Sequence, residues 1–522
     1  MRVLLINSNL KDDILAAPPI GLCYVASAAE ATGHQVQVLD LCFQSQIRAM
    51  LQRAIDQFSP EVIGISLRNI DNCNMLYPVS YLPEAGHLIQ VIRELSSATL
   101  VLGGSGVSVM PEKVFSYLPV DYIIVSDGEE SFVRLLKALQ QGESPRDIPG
   151  LGMRHQGKFH LTPPQHDASF PTIRPNLAKW VDLHPYRQMG SSYLIQTKRG
   201  CSHRCIYCTY SQLVEGHRFR LREPLEVVDE LEEAYYRYRP DSFEFVDSTF
   251  NDPIDYCIEI LEEIVRRPWQ AKFSTMGMSP RHLNDRFLEL LWRSGFRSFM
   301  TTPESASATM ICNYQKSFTM DDVILAAEAM NRSRFKVMWY FLIGGPGENN
   351  QTLQETLDFV TKYLHREKHP PYHLANFYLG VRMYPHTRLW EIAQQEGFIP
   401  QDHNPLQQLW YLSEELDLDL AVQQLNKAAC RYPEVFLGSA ERFLSISKFL
   451  ALLGNLFRWS QPYLYQLLWI SRLLVKLRLR SRFQSWDAAT RLRSYLKQQG
   501  YRGPLLEPII VQQNSLNPRG EG

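Results

Sequence analysis

Three cysteines in the run KRGCSHRCIYCTY, namely Cys201, Cys205 and Cys208, are the side chains best suited to chemistry in this 522-residue sequence. Three residues separate the first pair and two the second. A cubane iron–sulfur cluster normally takes four thiolates. Three thiolates on one tight loop hold three irons and leave the fourth open to a substrate or cofactor. Structural zinc sites prefer four ligands, commonly as separated pairs. No second CxxC pair occurs, and Cys23, Cys42, Cys73, Cys257, Cys312 and Cys430 are scattered. His203, inside the loop, is the residue that could complete a zinc site. A disulfide framework does not suit so long a sequence with no signal peptide.

The pattern CxxxCxxC, with Tyr207 just before the last cysteine, resembles the signature of the radical S-adenosylmethionine (SAM) superfamily. The resemblance implies that the amine and carboxylate of SAM chelate the open iron and that Tyr207 lies near the adenine. It also implies an external electron donor of the flavodoxin or ferredoxin type.

The elements that must position this loop are legible as strand–helix alternation. YLIQTKRG (193–200) leads into the cysteines, and FEFVDSTF, AKFSTMGM, FRSFMTTPES, FKVMWYFLIGGPGE and NFYLGVRMYP follow. Six such βα units over 186–400 predict an open, partial (βα)6 TIM-like barrel with its chemistry at the strand carboxyl ends. IGGPGE (343–348) reads equally as an ordinary strand-to-helix turn, with Glu348 and Thr352 near a helix start. Asp247 reads as polar lining or as a helix N-cap. By resemblance, Gly344 and Gly345 border SAM, Glu304 and Ser305 lie near its methionyl group, and Val381 lies near the adenine.

Residues 1–145 alternate in the same way, which predicts a doubly wound, Rossmann-like parallel sheet with ligands at the strand carboxyl ends. The glycines of TLVLGGSG permit tight turns and close backbone approach. They do not form a dinucleotide fingerprint. The succession PPIGLCYVASAAEATG, VLGGSGVSVMPEKVF, DYIIVSDGEESF resembles the cobalamin-binding domain that precedes the barrel in one subgroup of the superfamily. Carried onto this sequence, the corrin contacts are Pro19, Gly21, Gly103, Gly104, Ser105, Gly128 and Glu129. The DxHxxG motif that gives cobalt a histidine is absent from the sequence. Arg68, at the end of the third strand, is then expected to fill the lower corrin face, or else to be a surface or ion-paired arginine. Asn69 and Asp71 read as turn residues.

Residues 146–185 (LTPPQHDASFPTIRPNL within them) read as a linker or strap. Beyond Pro400 no strand pattern is evident, and 401–522 read as a mostly helical region. Residues 441–502 hold twelve Lys or Arg against two acidic residues, interleaved with Leu and Trp. Such a segment suits a helical cap on the barrel or peripheral contact with an anionic membrane.

The overall charge of −1 implies no nucleic-acid partner. A hydrophobic content of 45% describes a globular protein with ample core. Free thiols suit the cytoplasm. The resemblance implies a cobalamin-dependent methyltransferase that moves a methyl group from SAM to an unactivated carbon of a natural-product, peptide or lipid-like substrate. Its alternatives are radical rearrangement or cyclisation without methyl transfer, polar methyl transfer, and a cobalamin or redox sensor that does not turn over.

Overall fold

In RVLLIN (β1, Arg2–Asn7) four successive apolar side chains are at most 1% exposed. A strand apolar at every position must be covered on both faces. It lies inside a seven-stranded sheet, paired in parallel with Gln35–Asp40 on one side and Val62–Ser66 on the other. Strands β2 (Gln35–Asp40), β3 (Val62–Ser66), β4 (Thr99–Gly103) and β5 (Tyr122–Ile124) complete its parallel part. Two separate hydrophobic clusters cover the two faces, as a doubly wound sheet requires. The computed structural model describes residues 1–10, 16–76, 78–166, 170, 172–365, 372–400, 403–438, 453 and 467–479.

The sheet does not stop at residue 145. Strands β6 (Leu151–His155) and β7 (Lys158–Leu161) add to it as an antiparallel hairpin. Gln156 and Gly157, both at positive φ, make its two-residue turn. The expected linker is therefore sheet in its first third. The signal was an HQGK turn between two short alternating runs, hidden by the proline-rich stretch behind it.

The second unit curves seven parallel strands in sequence order: β8 (Tyr193–Ile195), β11 (Phe243–Phe245), β12 (Phe273–Thr275), β13 (Ser298–Glu304), β14 (Lys336–Ile343), β15 (Tyr372–Leu379) and β18 (Val435–Leu437). Between β8 and β11 lies a hairpin of β9 (Lys198–Arg199) and β10 (Arg220–Leu221), whose long connection is the cysteine loop. A second pair, β16 (Val381–Arg382) and β17 (Trp410–Tyr411), closes the far side. Strands β17 and β18 and the helix Leu418–Arg431 extend the barrel past Pro400, so its boundary lies beyond the expected one. Their short apolar runs, WYL and VFL, were too brief to show a period.

Phe243, Phe245, Phe273 and Phe296 stack on one another outside the barrel wall, with centroids 5.6–5.7 Å apart. Each such pair contributes about 0.5–1.5 kcal/mol beyond its buried area.

The inner face differs from the outer. In β13 and β14 the helix-facing Phe299, Thr301, Trp339 and Phe341 are at most 1% exposed. The inward-facing Met300, Thr302, Glu304, Tyr340 and Leu342 are only half-buried. The barrel is thus open inside near the strand carboxyl ends. At the other end Met338 and Leu374 pack with Leu468, with Met300, Tyr340 and Phe436 beside them. Leu468 comes from the helix Leu467–Lys476, tied by Ser471 to the carbonyl of Pro433 at 2.6 Å. This helix closes the barrel floor, as a cap would. Most of the basic segment 441–502 lies outside the described residues. Among those residues no helix is long and apolar enough to cross a membrane.

Candidate two-cofactor site at the barrel mouth

The cysteine loop is held by buried polar contacts on both flanks. Asp247, at the end of β11, accepts from Thr197 N at 2.8 Å, Thr197 Oγ1 at 2.6 Å and Lys198 N at 3.2 Å. It anchors the hairpin rather than capping a helix. Gly200 follows at φ +87, where a Cβ would lie 2.1 Å from the carbonyl oxygen of Arg218. Only glycine allows the chain to turn there. On the far flank Ile206 N bonds Tyr314 O, and Leu389 N bonds Ile206 O.

Cys201 and Cys205 are buried and Cys208 half-buried, all as free thiols. Burial raises the Cys205 thiol, but the charge of Lys316 and the hydrogen bond and charge of His203 outweigh it and pull it below the ordinary value. His203 Nε2 lies 2.9 Å from Asp252 Oδ2, so this imidazole already has a carboxylate partner. Among the described residues no three His, Cys, Asp or Glu are arranged around a single metal ion. Three convergent thiols, one electrostatically biased to thiolate, are a donor set that fits an iron–sulfur cluster.

Tyr207 is caught between Glu304 and Lys316. Its hydroxyl donates to Glu304 Oε1 at 2.9 Å and accepts from Lys316 Nζ at 2.8 Å. Lys316, which sequence reasoning missed, also reaches Glu304 at 3.3 Å. Glu304 stands at φ +64, beside a register shift in β13. Ser305 is fully buried, and its hydroxyl lies 3.0 Å from Thr356 Oγ1. It faces the wall rather than the opening.

The turn after β14 has no room for side chains of its own, because neighbouring side chains pack against it. A Cβ on Gly344 would come 2.4 Å from Leu412 and one on Gly345 2.3 Å from Tyr314. Glu348 closes the turn by accepting from Gly344 N at 2.7 Å and Gly345 N at 3.3 Å. Its other oxygen is buried without a partner. Burial pushes its carboxyl up to about 8, against those two hydrogen bonds. Val381 is buried beside Ile206, Tyr207 and Tyr314. A bare turn, an orphaned acceptor and the Glu304–Lys316 pair fit the zwitterionic methionyl group and flat adenine of SAM.

The N-terminal sheet presents its carboxyl edge to the same mouth. Arg199, two residues before Cys201, is paired with Glu129 at 2.5 and 3.1 Å and with Asp127 at 3.1 Å. Arg220 also binds Asp127. Glu129, expected at the corrin, is thus committed to an ion pair that clamps the two units together. Asp71 is a turn residue, accepting from Cys73 N at 2.9 Å, and more: it is buried and pairs with Arg382 at 3.0 Å, next to Val381. Gly380 leaves room for Met75 from the same loop.

At the end of β4, Gly104 has φ +107, and a Cβ there would lie 2.4 Å from Leu67 O. Its bareness serves the packing of its own loop. Ser105 Oγ bonds Arg68 O at 2.6 Å. The space beside Gly21 is empty within 4 Å, Gly103 meets only Ile124 O at 3.8 Å, and a Cβ on Gly128 would be 3.3 Å from Val25. Pro19 precedes the helix Ile20–Ala31. Arg68 is exposed at this edge, and its charge acts on Glu244 inside the barrel. Glycine-lined loops after β1, β4 and β5, at the carboxyl edge of the sheet, fit a large flat ligand.

The barrel is open at its strand carboxyl ends, carries a three-thiol loop after its first strand and has a doubly wound domain on its mouth. A model of the radical SAM superfamily matches residues 195–360, and one of the B12 binding domain matches residues 15–136. The chain thus carries a radical SAM domain preceded by a B12 binding domain. It is 26% identical over 387 residues to an uncharacterised methyltransferase of Pyrococcus horikoshii, covering 72% of this chain and 78% of that one. It is also 26% identical over 451 residues to tryptophan 2-C-methyltransferase of Streptomyces laurentii, covering 74% and 73%. The fold matches the radical S-adenosylmethionine methyltransferase TsrM of Kitasatospora setae, solved with cobalamin and a 4Fe–4S cluster. The TM-score is 0.77 at 22% identity, covering 91% of this chain and 99% of that one.

Proposed function

We propose that the chain is a methyltransferase that moves a methyl group from SAM, by way of the corrin, to a carbon of a small apolar molecule held in the barrel. When bound, the cluster, SAM and cobalamin supply the electron, the methyl group and its carrier. The protein's part is placement and exclusion of water. Cys201, Cys205 and Cys208 would ligate the cluster, with Lys316 and His203 offsetting its negative charge. Lys316 and Glu304 would orient the charged end of SAM, and the turn at Gly344 and Gly345 would let it approach the backbone. The loops at Gly21, Gly103, Ser105 and Gly128 would seat the corrin, with Arg68 at its lower face. The closed floor around Leu468 would keep water out from below.

The observation that carries this reading is the Arg199–Glu129 clamp, which joins the thiol loop directly to the sheet that would seat the corrin. Methyl transfer by the two relatives supports the reaction type. We further propose a cytoplasmic setting and an external flavodoxin- or ferredoxin-type donor, which suit a reduced cluster. The test is anaerobic turnover with methyl-deuterated SAM and a metabolite extract. A product carrying the intact labelled methyl group is expected. A product formed in a SAM-dependent way without the label would favour rearrangement or cyclisation and overturn the proposal.

A further inference from the structure

Two acceptors on the inner barrel wall lack partners. Phe243 and Phe245 face the helices, so Glu244 between them faces the interior. Among the described residues no hydrogen bond or ion pair reaches its carboxylate. Burial pushes its carboxyl up to about 7, with the positive charge of Arg68 opposing the rise. Asn376, in register with Tyr340 on the inner face of β15, has its Oδ1 buried without a partner. Around them the wall is aromatic: Tyr340 and Tyr378 stack at 5.9 Å, and Phe436 is in register with Asn376.

A buried polar atom left unpaired is costly. Four buried carboxylates of this chain avoid that cost: Asp247, Asp71, Glu129 and Glu230 are each paired. Glu244 is not, and it points into the half-open space between the barrel floor and Arg68. An apolar substrate with no donor would leave Glu244 stranded when it expelled the water around it. A substrate with an N–H or ammonium group would satisfy it.

We infer that Glu244 is a specificity-determining residue of the substrate seat, which takes an apolar ring compound bearing a hydrogen-bond donor on nitrogen. This rests on reading the barrel mouth as the methyl-transfer site. Its test uses no turnover, so the two can fail separately.

The test is equilibrium dialysis of the holoprotein, loaded with cluster and cobalamin, against two matched pairs. Indole and indene differ in the N–H, and 2-phenylethylamine and ethylbenzene differ in the ammonium. In the wild type at least one donor-bearing probe should bind about tenfold or more tightly than its twin. Which pair shows the preference identifies a neutral N–H or a cation. Glu244→Met should erase the preference. If that variant fails to load its cofactors, Glu244→Gln decides, because a neutral acceptor bonds more weakly than a carboxylate. A threefold or greater loss of preference supports the assignment. Equal binding within both pairs of the wild type, no binding by either donor-bearing probe, or a preference unchanged in the variant overturns it.

Discussion

The thiol loop and the carboxyl edge of the N-terminal sheet face one opening, yet they are encoded in different ways. The loop carries its chemistry in a contiguous run, because a cluster demands one atom type at fixed spacing. The sheet edge works by shape, with residues drawn from four separate strand ends and with glycines that answer to their own backbone neighbours. A cluster loop therefore fails through single side chains. A corrin seat fails through the fold that carries it.

The largest expected effect separates the two halves outright. Cys205→Ala should abolish cluster assembly, read as iron and sulfide per chain after reconstitution, while corrin binding stays at the wild-type level. Loss of both would mean that the loop also holds the seat. Next comes the clamp between the halves. Glu129→Ala removes the bidentate partner of Arg199, whose side chain is 7% exposed, and leaves it Asp127 alone. Breaking a buried pair on one side costs about 3–5 kcal/mol, measurable by urea unfolding. The mirror image of the first variant is Gly104→Ala, in which a Cβ meets Leu67 O at a left-handed φ. A strained residue of this kind costs on the order of 1–3 kcal/mol. Corrin affinity should fall while iron content holds.

The clamp also sets a pH limit. Burial raises the Asp127 carboxyl, but His166, Arg199 and Arg220 together hold it well below the usual carboxylate range. A depressed carboxyl contributes stability that is present above its unfolded value of about 3.9 and lost as pH falls through the folded one. Thermal scans should show the melting temperature dropping below about pH 4, less steeply in Asp127→Asn. The smallest effect is expected at Glu348→Gln. This carboxyl is already raised by burial and keeps one oxygen unpaired. An amide retains the acceptor for Gly344 N, so stability at neutral pH should change by no more than about 1 kcal/mol. A large loss would mean that the charged form is needed in the turn.

What could be read from the sequence follows the same division. The three cysteines, the glycine turn and both α/β units were legible, since each is a local run or a repeated period. The short β16–β17 and β17–β18 region was not, because two or three residues carry no periodicity. Asp71, Glu129 and Asp247 were read as loop, corrin or lining residues, and all three turned out to be partners in buried bonds. Their partners, Arg382, Arg199 and Thr197, lie 50 to 311 positions away. Lys316 and Glu244 belong to no local pattern; only the closing of the barrel brings them to the opening.

The central claim is that both cofactors meet in one opening. Power saturation of the cob(II)alamin electron paramagnetic resonance signal tests it most directly, with the cluster oxidised and then reduced. In the wild type, reducing the cluster should speed relaxation of the cobalt signal, and in Cys205→Ala it should not. Identical saturation in the two oxidation states of the wild type, with both cofactors fully loaded, would contradict the account.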